Sequence, residues 1–262
     1  MAKSKSVWLC QRCAFEAPAF ENPCRNCNEW NSLVETIKER PSASARVRAA
    51  TSASTGGPAR PQALRRASAD RAPRVPLGVP EFDRVLGGGA VPGSVVLLGG
   101  EPGIGKSTLL LQAAAGIAAA GGRVLYASGE ESAAQIADRA ERLGLMEGPA
   151  ADGVELLAES EVGAISEALM LSTPTLLIVD SIQTATLGGL EGPAGSVGQV
   201  RGAADWLAGA ARATGCAVIL VGHVTKEGSI AGPKTLEHLV DTVVMLDGDR
   251  HGTLRTLRAA KN

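Results

Sequence analysis

The stretch that decides the fold is Val95-Val96-Leu97-Leu98-Gly99-Gly100-Glu101-Pro102-Gly103-Ile104-Gly105-Lys106-Ser107-Thr108. Its apolar start predicts a buried strand, and its glycine-rich part predicts a turn. A run of leucine and alanine follows at once and predicts a helix. From Gly100 to Ser107 the sequence matches G-x-x-x-x-G-K-S, the phosphate-binding loop. Because the match lies between a predicted strand and a predicted helix, we favour this loop over an ordinary glycine-rich turn.

Each residue type in this loop has a physical role in holding a nucleotide. Glycine lets the backbone turn its N–H groups toward phosphate oxygens, and the following helix adds the positive end of its dipole. Lys106 can bridge the β- and γ-phosphates, and the Ser107 hydroxyl can ligate Mg²⁺. We therefore expect ATP and Mg²⁺ as cofactors. The expected nucleotide-binding residues are Gly100, Glu101, Pro102, Gly103, Ile104, Gly105, Lys106, Ser107 and Thr108.

The composition argues against several classes of protein. A chain of 262 residues has room for one sizeable domain with smaller attachments. Aromatic residues make up 3%, which argues against a broad stacking surface for bases. No apolar run reaches the ~18 residues of a membrane span, and the N-terminus lacks an apolar signal core. We therefore expect a cytoplasmic protein that does not contact a membrane.

Two cysteine pairs near the N-terminus have the spacing of a zinc site. The pattern is C-x₂-C, ten residues, then C-x₂-C, formed by Cys10, Cys13, Cys24 and Cys27. Four thiolates are the tetrahedral set that Zn²⁺ prefers, whereas disulfides are disfavoured in a reducing compartment. A third interpretation is that the four cysteines are free thiols that bind no metal. So short a segment cannot build a sufficient apolar core, so the expected zinc is structural and makes the segment fold.

Changes in composition divide the chain into three parts. We expect a Cys₄ finger at 7–34, a basic flexible linker at 35–74 and an ATPase domain at 75–262. Residues 38–74 carry a charge of +7, so the remainder carries −8. The linker is either merely solvated or also makes weak electrostatic contact with nucleic-acid phosphates, and these readings are compatible.

In the third part, apolar strands alternate with helical patterns. Strands are expected over 95–98, 123–127, 154–158, 175–179 and 216–221, with a closing hairpin over 242–246 and 253–257. Helices are expected over 107–120, 131–143, 161–171 and 197–214. This alternation predicts an α/β fold, with a mostly parallel sheet covered by helices on both faces and an antiparallel edge. Cys216 starts an apolar run and is expected to be a buried core thiol.

Acidic residues follow two of the predicted strands. Asp180 ends an apolar strand and is the expected Mg²⁺ ligand beside Ser107, although a strand-end Asp can also simply cap a turn. Glu130 and Glu131 follow another strand at the same edge. One of them could orient or deprotonate the attacking water. The negative charge of the other would then interact favourably with the positive end of the dipole of the next helix. We favour Glu130 as the catalytic base, because it is nearer the strand end.

His223 follows the fifth strand and is a candidate sensor of the γ-phosphate, although a polar histidine without such a role is the alternative. The loop after it is rich in glycine and carries Lys226 and Lys234. These lysines suit contact with a DNA single strand, and a merely solvated loop is nearly as well supported.

These features together resemble the RadA/Sms family of bacterial recombination and repair proteins, within the RecA/DnaB-like ATPases. Besides the finger and the phosphate-binding loop, the resemblance rests on Trp30-Asn31-Ser32-Leu33-Val34, Leu86-Gly87-Gly88-Gly89, Ser128-Gly129-Glu130-Glu131-Ser132, Val179-Asp180-Ser181-Ile182-Gln183-Thr184 and Gly222-His223-Val224-Thr225-Lys226. It implies a RecA-like fold and a ring-forming, DNA-stimulated ATPase that acts on single-stranded or branched DNA. Branch migration, helicase-like translocation and partners among recombinases or helicases are further implications. The family's catalytic base corresponds to Glu130.

The family pattern continues beyond the last residues of this sequence. The family has a Lys-Asn-Arg-Phe-Gly motif and then a Lon-protease-like domain, whereas this sequence ends at Lys261-Asn262. The resemblance makes Lys261 a candidate DNA contact, and it implies nucleotide and zinc binding with an impaired DNA motor. Two other readings stay open. A regulatory switch would hydrolyse ATP slowly without DNA stimulation, and a non-motor adaptor would use nucleotide only for stability.

Overall fold

The chain divides into two units, Met1–Ser42 and Ala43–Asn262. The structure, a computed structural model, describes residues 6–10, 12, 16–17, 22–30, 32–37, 63–65, 72–223, 236–248 and 254–262. Among these residues, no helix combines the length and apolar character needed to cross a bilayer.

The first unit contains a small antiparallel sheet that the sequence did not predict. Its strands are β1 (Ser6–Cys10), β2 (Glu16–Ala17) and β3 (Leu33–Ile37), in the order β2-β1-β3. The buried side chains among its described residues are Cys10, Ala17, Cys24 and Leu33. Because two of these four are cysteines, the sheet has little apolar surface to stabilise it without a ligand.

The second unit is built on a seven-stranded sheet. Its strands are β4 (Val95–Gly100), β5 (Val124–Ser128), β6 (Val154–Ala158), β7 (Leu176–Asp180), β8 (Ala217–His223), β9 (Thr242–Gly248) and β10 (Arg255–Lys261). They lie in the order β10-β9-β4-β8-β7-β5-β6. The pairs are parallel except β9 with β10, which are antiparallel. The predicted mostly parallel sheet with an antiparallel edge is confirmed.

Helices cover both faces of this sheet. They are α1 (Pro80–Val85), α2 (Lys106–Ala119), α3 (Ala133–Arg142), α4 (Pro149–Asp152), α5 (Val162–Ser172) and α6 (Val197–Thr214). One apolar layer includes Ile165 of α5 and Leu207 of α6. The other includes Phe82 of α1, Leu110 of α2 and Ile136 of α3. Cys216 is buried in the first layer, as its apolar surroundings predict.

Polar residues set the starts of the helices that follow the strands. Ser132 accepts a hydrogen bond from the Gln135 N–H, and the Gln135 side chain accepts one from the Ser132 N–H, which makes a capping box. Helix α3 therefore begins at Ala133, two residues later than the apolar pattern predicts. Glu131 consequently lies in the turn between β5 and α3 and not in the first turn of the helix, and its side chain pairs with Arg139 of α3.

Arg74, the last basic residue of the predicted linker, makes hydrogen bonds within the second unit. Arg74 Nη1 donates to the carbonyl oxygens of Leu86 at 2.7 Å and Gly89 at 3.1 Å. These two bonds close the glycine-rich turn after α1. Gly89 has a φ of +125°, and a Cβ there would lie 2.3 Å from the Val75 carbonyl oxygen, so this turn requires glycine.

Candidate nucleotide-binding and metal sites

The phosphate-binding loop closes around the side chain of Lys106. Gly105, just before α2, has a φ of +107°, a conformation that residues with side chains rarely adopt. Lys106 is only 3% exposed. Its Nζ donates to the carbonyl oxygens of Gly100 and Glu101, both at 3.0 Å, and to His223 Nδ1 at 3.1 Å. An ammonium group has three N–H donors, so each donor of Lys106 has an acceptor.

Two carboxylates act on this buried cation. Burial lowers the pKa of Lys106 from its usual value, because desolvation disfavours the charged form. The charges of Asp180 and Glu130 oppose that shift. The site therefore combines one buried cation with carboxylates from the ends of two strands.

His223 connects Lys106 to Glu130. Its Nδ1 accepts from the Lys106 ammonium, so its Nε2 is assigned the proton and donates to Glu130 Oε1 at 3.3 Å. The Ser181 hydroxyl donates to the same Glu130 oxygen at 2.5 Å. A hydrogen-bonded chain thus runs from the phosphate-binding loop through His223 to the candidate base. The spacing of residues in the sequence gives no sign of it, because Lys106 and His223 are far apart in the chain.

The structure separates the two glutamates that the sequence left as alternatives. Glu131 forms an ion pair with Arg139 of α3. Glu130 instead contacts His223 and Ser181. Both backbone N–H groups are held by the Ser128 hydroxyl, at 3.3 Å from Glu130 and 3.0 Å from Glu131. The turn therefore points one carboxylate toward the loop site and the other toward α3.

Asp180 lies buried at the end of β7 and is held by a side chain that sequence reasoning missed. The Tyr126 hydroxyl donates to Asp180 Oδ2 at 2.7 Å. Burial, reinforced by the charge of Asp180, raises the pKa of Tyr126, so the phenol remains protonated. The apolar pattern of its strand predicts a buried side chain at Tyr126 but does not reveal which group its hydroxyl contacts.

The parallel strands bring these residues to one edge of the sheet. Gly100 of β4 is paired with His223 of β8, and Ser128 of β5 is paired with Asp180 of β7. In the pairing of β7 with β8, Val179 lies opposite Leu220, so β8 extends about two residues beyond Asp180. The carboxyl ends of the four strands lie at the same edge of the sheet, where the predicted loop, acid, base and sensor residues come together.

A cavity of about 430 Å³ lies beside the loop. Gly105 and Thr108 line one side, Arg84 of α1 lines another, and Arg255 and Leu257 of β10 complete it. Arg255 lies so close to the loop that a Cβ on Gly105 would be 2.9 Å from its Nη1. Sequence reasoning missed Arg255, because no motif spacing connects the last strand to the phosphate-binding loop.

Of the three lysines predicted to contact DNA, Lys226 and Lys234 lie outside the described residues. Lys261 ends β10, and its Nζ donates to the carbonyl oxygens of Glu237 at 2.8 Å and Val240 at 2.7 Å. In this structure the Lys261 ammonium therefore holds the helical turn that precedes β9.

Three of the four predicted zinc ligands lie together in the first unit. The sulfur atoms of Cys10, Cys24 and Cys27 lie within 4.8 Å of one another, and those of Cys10 and Cys27 are 3.6 Å apart. Zn–S bonds of about 2.3 Å at tetrahedral angles place sulfurs about 3.8 Å apart, so the three fit the ion. Cys13 lies outside the described residues.

The backbone after the second cysteine pair forms a tight knuckle. Asn28 has a φ of +59°, and its N–H donates to the Cys24 carbonyl oxygen at 2.8 Å. The Cys24 N–H in turn donates to the Glu29 carbonyl oxygen at 3.0 Å. This turn holds Cys24 and Cys27 on one side, which suits two thiolates that share an ion.

A comparison with known protein families decides the identity of the second unit. Residues 59–229 match the family described as AAA domain. The chain belongs to that family. A P-loop AAA-type domain supports an ATPase.

The AAA domain and the finger together are similar to proteins named DNA repair protein RadA. The identity is 46% over 262 residues with the protein of Halalkalibacterium halodurans, 46% over 263 with that of Bacillus subtilis and 44% over 264 with that of Listeria monocytogenes. Each match covers the whole of this chain and 56% of the relative, so the chain spans about half the length of these proteins. The resemblance to the RadA family is confirmed.

Solved structures share the fold of the AAA domain. The RadB recombinase has a TM-score of 0.55 at 24% identity, covering 72% of this chain and 90% of that one. A KaiC-like protein from Pyrococcus horikoshii has a TM-score of 0.56 at 20% identity, covering 72% and 88%. The predicted RecA-like fold is confirmed.

The cysteine cluster makes a direct prediction about zinc. Cys24→Ser replaces a soft thiolate by a hydroxyl, so the purified protein is expected to lose its zinc, from about one ion per chain to well below half. The measurement is metal content by atomic emission. Cys216→Ala is the matched control, because this buried thiol lies in the second unit and zinc should be retained. Equal zinc in Cys24→Ser and the unmodified protein would contradict the metal site.

Proposed function

We propose that this chain hydrolyses ATP with Mg²⁺ and couples hydrolysis to work on single-stranded or branched DNA in recombinational repair. The observation that carries the proposal is the chain of hydrogen bonds from Lys106 through His223 to Glu130. It joins a phosphate-binding cation to a candidate base at one sheet edge. The names of the relatives support the setting in DNA repair.

In this proposal the ion and the phosphates are held by residues of the loop and of β7. Lys106 stabilises the negative charge that develops on the transferred phosphoryl group, and Ser107 and Asp180 hold Mg²⁺. Magnesium, when bound, neutralises phosphate charge and fixes the direction of attack. Asp180 is buried at the end of β7 and its charge acts on Lys106 of the loop, which supports this assignment.

Glu130 positions the attacking water and accepts its proton. Its carboxylate accepts hydrogen bonds from Ser181 and His223, and neither bond removes its charge. Glu131 is the poorer candidate for the base, because its ion pair with Arg139 directs the carboxylate toward α3.

His223 reports the presence of the γ-phosphate. All three donors of Lys106 have acceptors in the protein alone, so a phosphate that takes one donor must displace one of those acceptors. His223 is the acceptor that also contacts Glu130, and it is the last residue of β8. Release of His223 from Lys106 would therefore change the hydrogen bonding of Glu130. It would also affect the chain that follows His223 and carries Lys226.

The cavity beside the loop receives the nucleoside part of ATP. It adjoins Thr108 near the start of α2, and its charged lining residues are Glu81, Arg84 and Arg255. A guanidinium plane can stack on an aromatic base and can also donate to ribose or phosphate oxygens.

Arg255→Ala tests this placement. The variant is expected to raise KM for ATP about tenfold, because it removes one cation–π or charged hydrogen-bond contact, while kcat changes little. Arg258→Ala is the matched control, because Arg258 lies on the same strand but pairs with Asp247 at 3.6 Å on an exposed surface. Steady-state kinetics measure both. An unchanged KM in Arg255→Ala would place the nucleoside elsewhere.

The finger and the linker complete the proposed domain organisation, with boundaries at 7–34, 35–74 and 75–262. Zinc would be held by Cys10, Cys13, Cys24 and Cys27 and would stabilise the finger, which could then contact DNA or a recombinase or helicase. Assembly into a homo-oligomeric ring belongs to the same proposal. The resemblance to RadA proteins supports these statements about partners.

ATP hydrolysis with and without single-stranded DNA tests the proposed function. Glu130→Gln is expected to lower kcat about 100-fold or more, because it removes the base without changing the size of the side chain. Glu131→Gln, the matched control, is expected to stay within about tenfold of the unmodified chain. In keeping with the impaired motor that the resemblance implies, single-stranded DNA should increase the rate of the unmodified chain less than the rate of a full-length relative such as the RadA protein of Bacillus subtilis, and Lys106→Ala supplies the blank.

The outcomes separate the proposal from its alternatives. Equal losses in Glu130→Gln and Glu131→Gln would refute the assignment of the base. Slow hydrolysis that does not respond to DNA, in this chain and in the full-length relative alike, would favour a nucleotide-driven switch. Hydrolysis no faster than in Lys106→Ala would favour a non-motor adaptor.

A further inference from the structure

Tyr126 is the one tyrosine in the sequence, and its hydroxyl lies at the active edge of the sheet. It belongs to β5, and the residue two positions later, Ser128, is paired with Asp180 on β7. Side chains two apart on a strand face the same side, so Tyr126 and Asp180 share one face of the sheet. Their oxygen atoms are 2.7 Å apart, and both residues are buried.

The surroundings of Tyr126 explain why this bond forms. Its ring belongs to the apolar layer that contains Ile136 of α3 and Ile178 of β7. A buried hydroxyl in such a layer costs free energy unless it finds an acceptor, and Asp180 Oδ2 is that acceptor. A phenylalanine would fill the same space without this requirement. The hydroxyl is therefore the part of Tyr126 that calls for a functional explanation.

The bond fixes the Asp180 carboxylate. With Oδ2 bonded to Tyr126, the carboxylate cannot rotate about its Cβ–Cγ bond without losing the bond. Within the described parts of the chain, Oδ1 of the same carboxylate has no hydrogen-bond partner. The two oxygens are thus different, since one is anchored to the sheet and the other remains available to a ligand.

Arg139 of α3 places a positive charge near the hydrogen-bonded pair of Tyr126 and Asp180. Arg139 interacts electrostatically with both Tyr126 and Asp180, and it is itself held by the ion pair with Glu131. Its Nη1 is buried and has no hydrogen-bond partner among the residues that the structure describes. The guanidinium therefore adds positive charge near Asp180, while its hydrogen bond goes to Glu131.

We propose that Tyr126 is a positioning residue for magnesium, which anchors Asp180 Oδ2 so that Oδ1 is held ready for the ion. This inference rests on the proposed function, in which Asp180 and Ser107 hold Mg²⁺. Partners in the second layer around a metal ligand fix its orientation, and their loss commonly weakens metal binding 10- to 100-fold, an order-of-magnitude expectation.

Tyr126→Phe tests this role, because it removes the hydroxyl and keeps the ring. The measurement is the Mg²⁺ concentration that gives half of the metal-dependent binding of a fluorescent ATP analogue. We expect this concentration to rise about tenfold, with metal-free nucleotide binding within about twofold of the original. Trp206→Phe is the matched control, because it removes a donor to Ser166 Oγ at 3.0 Å, between α5 and α6. Its Mg²⁺ requirement should not change.

A second set of variants separates failure of this inference from failure of the proposed function. Asp180→Asn should raise the Mg²⁺ requirement strongly, and adding Tyr126→Phe to it should cause no further rise, because the two residues act through one bond. If Asp180→Asn leaves the requirement unchanged, the magnesium site itself is wrong. If only Tyr126→Phe leaves it unchanged, or changes thermal stability alone, the positioning role is overturned.

A further measurement uses the protein without any substitution, so its result does not depend on whether a variant folds. Because Tyr126 is the single tyrosine, incorporation of 3-fluorotyrosine gives one ¹⁹F resonance from this residue. Addition of Mg²⁺ to the nucleotide complex should shift that resonance, and nucleotide without metal should shift it much less. A resonance that responds equally to nucleotide with and without Mg²⁺ would overturn the proposal.

Discussion

The buried ammonium of Lys106 is the interaction on which the rest of the site depends. Removing an ammonium from water is costly unless each of its donors finds an acceptor. Here the acceptors are two carbonyl oxygens of the loop and one ring nitrogen of His223. The left-handed backbone at Gly105 lets the loop turn back over the side chain. The loop and the end of β8 are therefore held together by one cation.

This constraint propagates across the sheet through short polar contacts. His223 reaches Glu130, Glu130 reaches Ser181, and the neighbouring Asp180 reaches Tyr126. These contacts connect the ends of β8, β5 and β7, and the contact of His223 with Glu130 passes over the end of β7, which lies between β8 and β5. With the loop after β4, four strands contribute to one polar edge. The apolar layers on both faces keep those strand ends in register. A site of this kind is pre-organised, because its groups are positioned by a rigid sheet.

Much of this arrangement could be predicted from the sequence. The loop spacing and the apolar strand before Asp180 identified the fold and the edge where the site lies. Position at the strand end already favoured Glu130 over Glu131, but the ion pair of Glu131 with Arg139 could not be predicted from spacing. Tyr126 looked like an ordinary core residue, because strand periodicity does not show what a hydroxyl bonds to. Arg255 was missed for a related reason, since it reaches the loop through strand pairing at the far edge.

The finger shows a different limit of sequence reasoning. Paired cysteine spacing predicted the cluster, because ligand geometry restricts the loop length between two thiolates. The three short strands around it were not predicted, since they are too brief and too weakly apolar to give a periodic signal. Ser32 adds a contact that spacing could not reveal, with its Oγ at 3.2 Å from Cys10 Sγ.

The most direct test of the account is the protonation of His223 before and after nucleotide binds. The sequence contains three histidines, so ¹⁵N resonances of the labelled protein can be assigned with a His223→Gln variant. Without nucleotide, the account predicts a neutral ring with its proton on Nε2 and an acceptor at Nδ1. A non-hydrolysable ATP analogue with Mg²⁺ should shift the Nδ1 resonance as Lys106 turns to the phosphate. A proton on Nδ1 without nucleotide, or a resonance that ignores the analogue, would contradict the account.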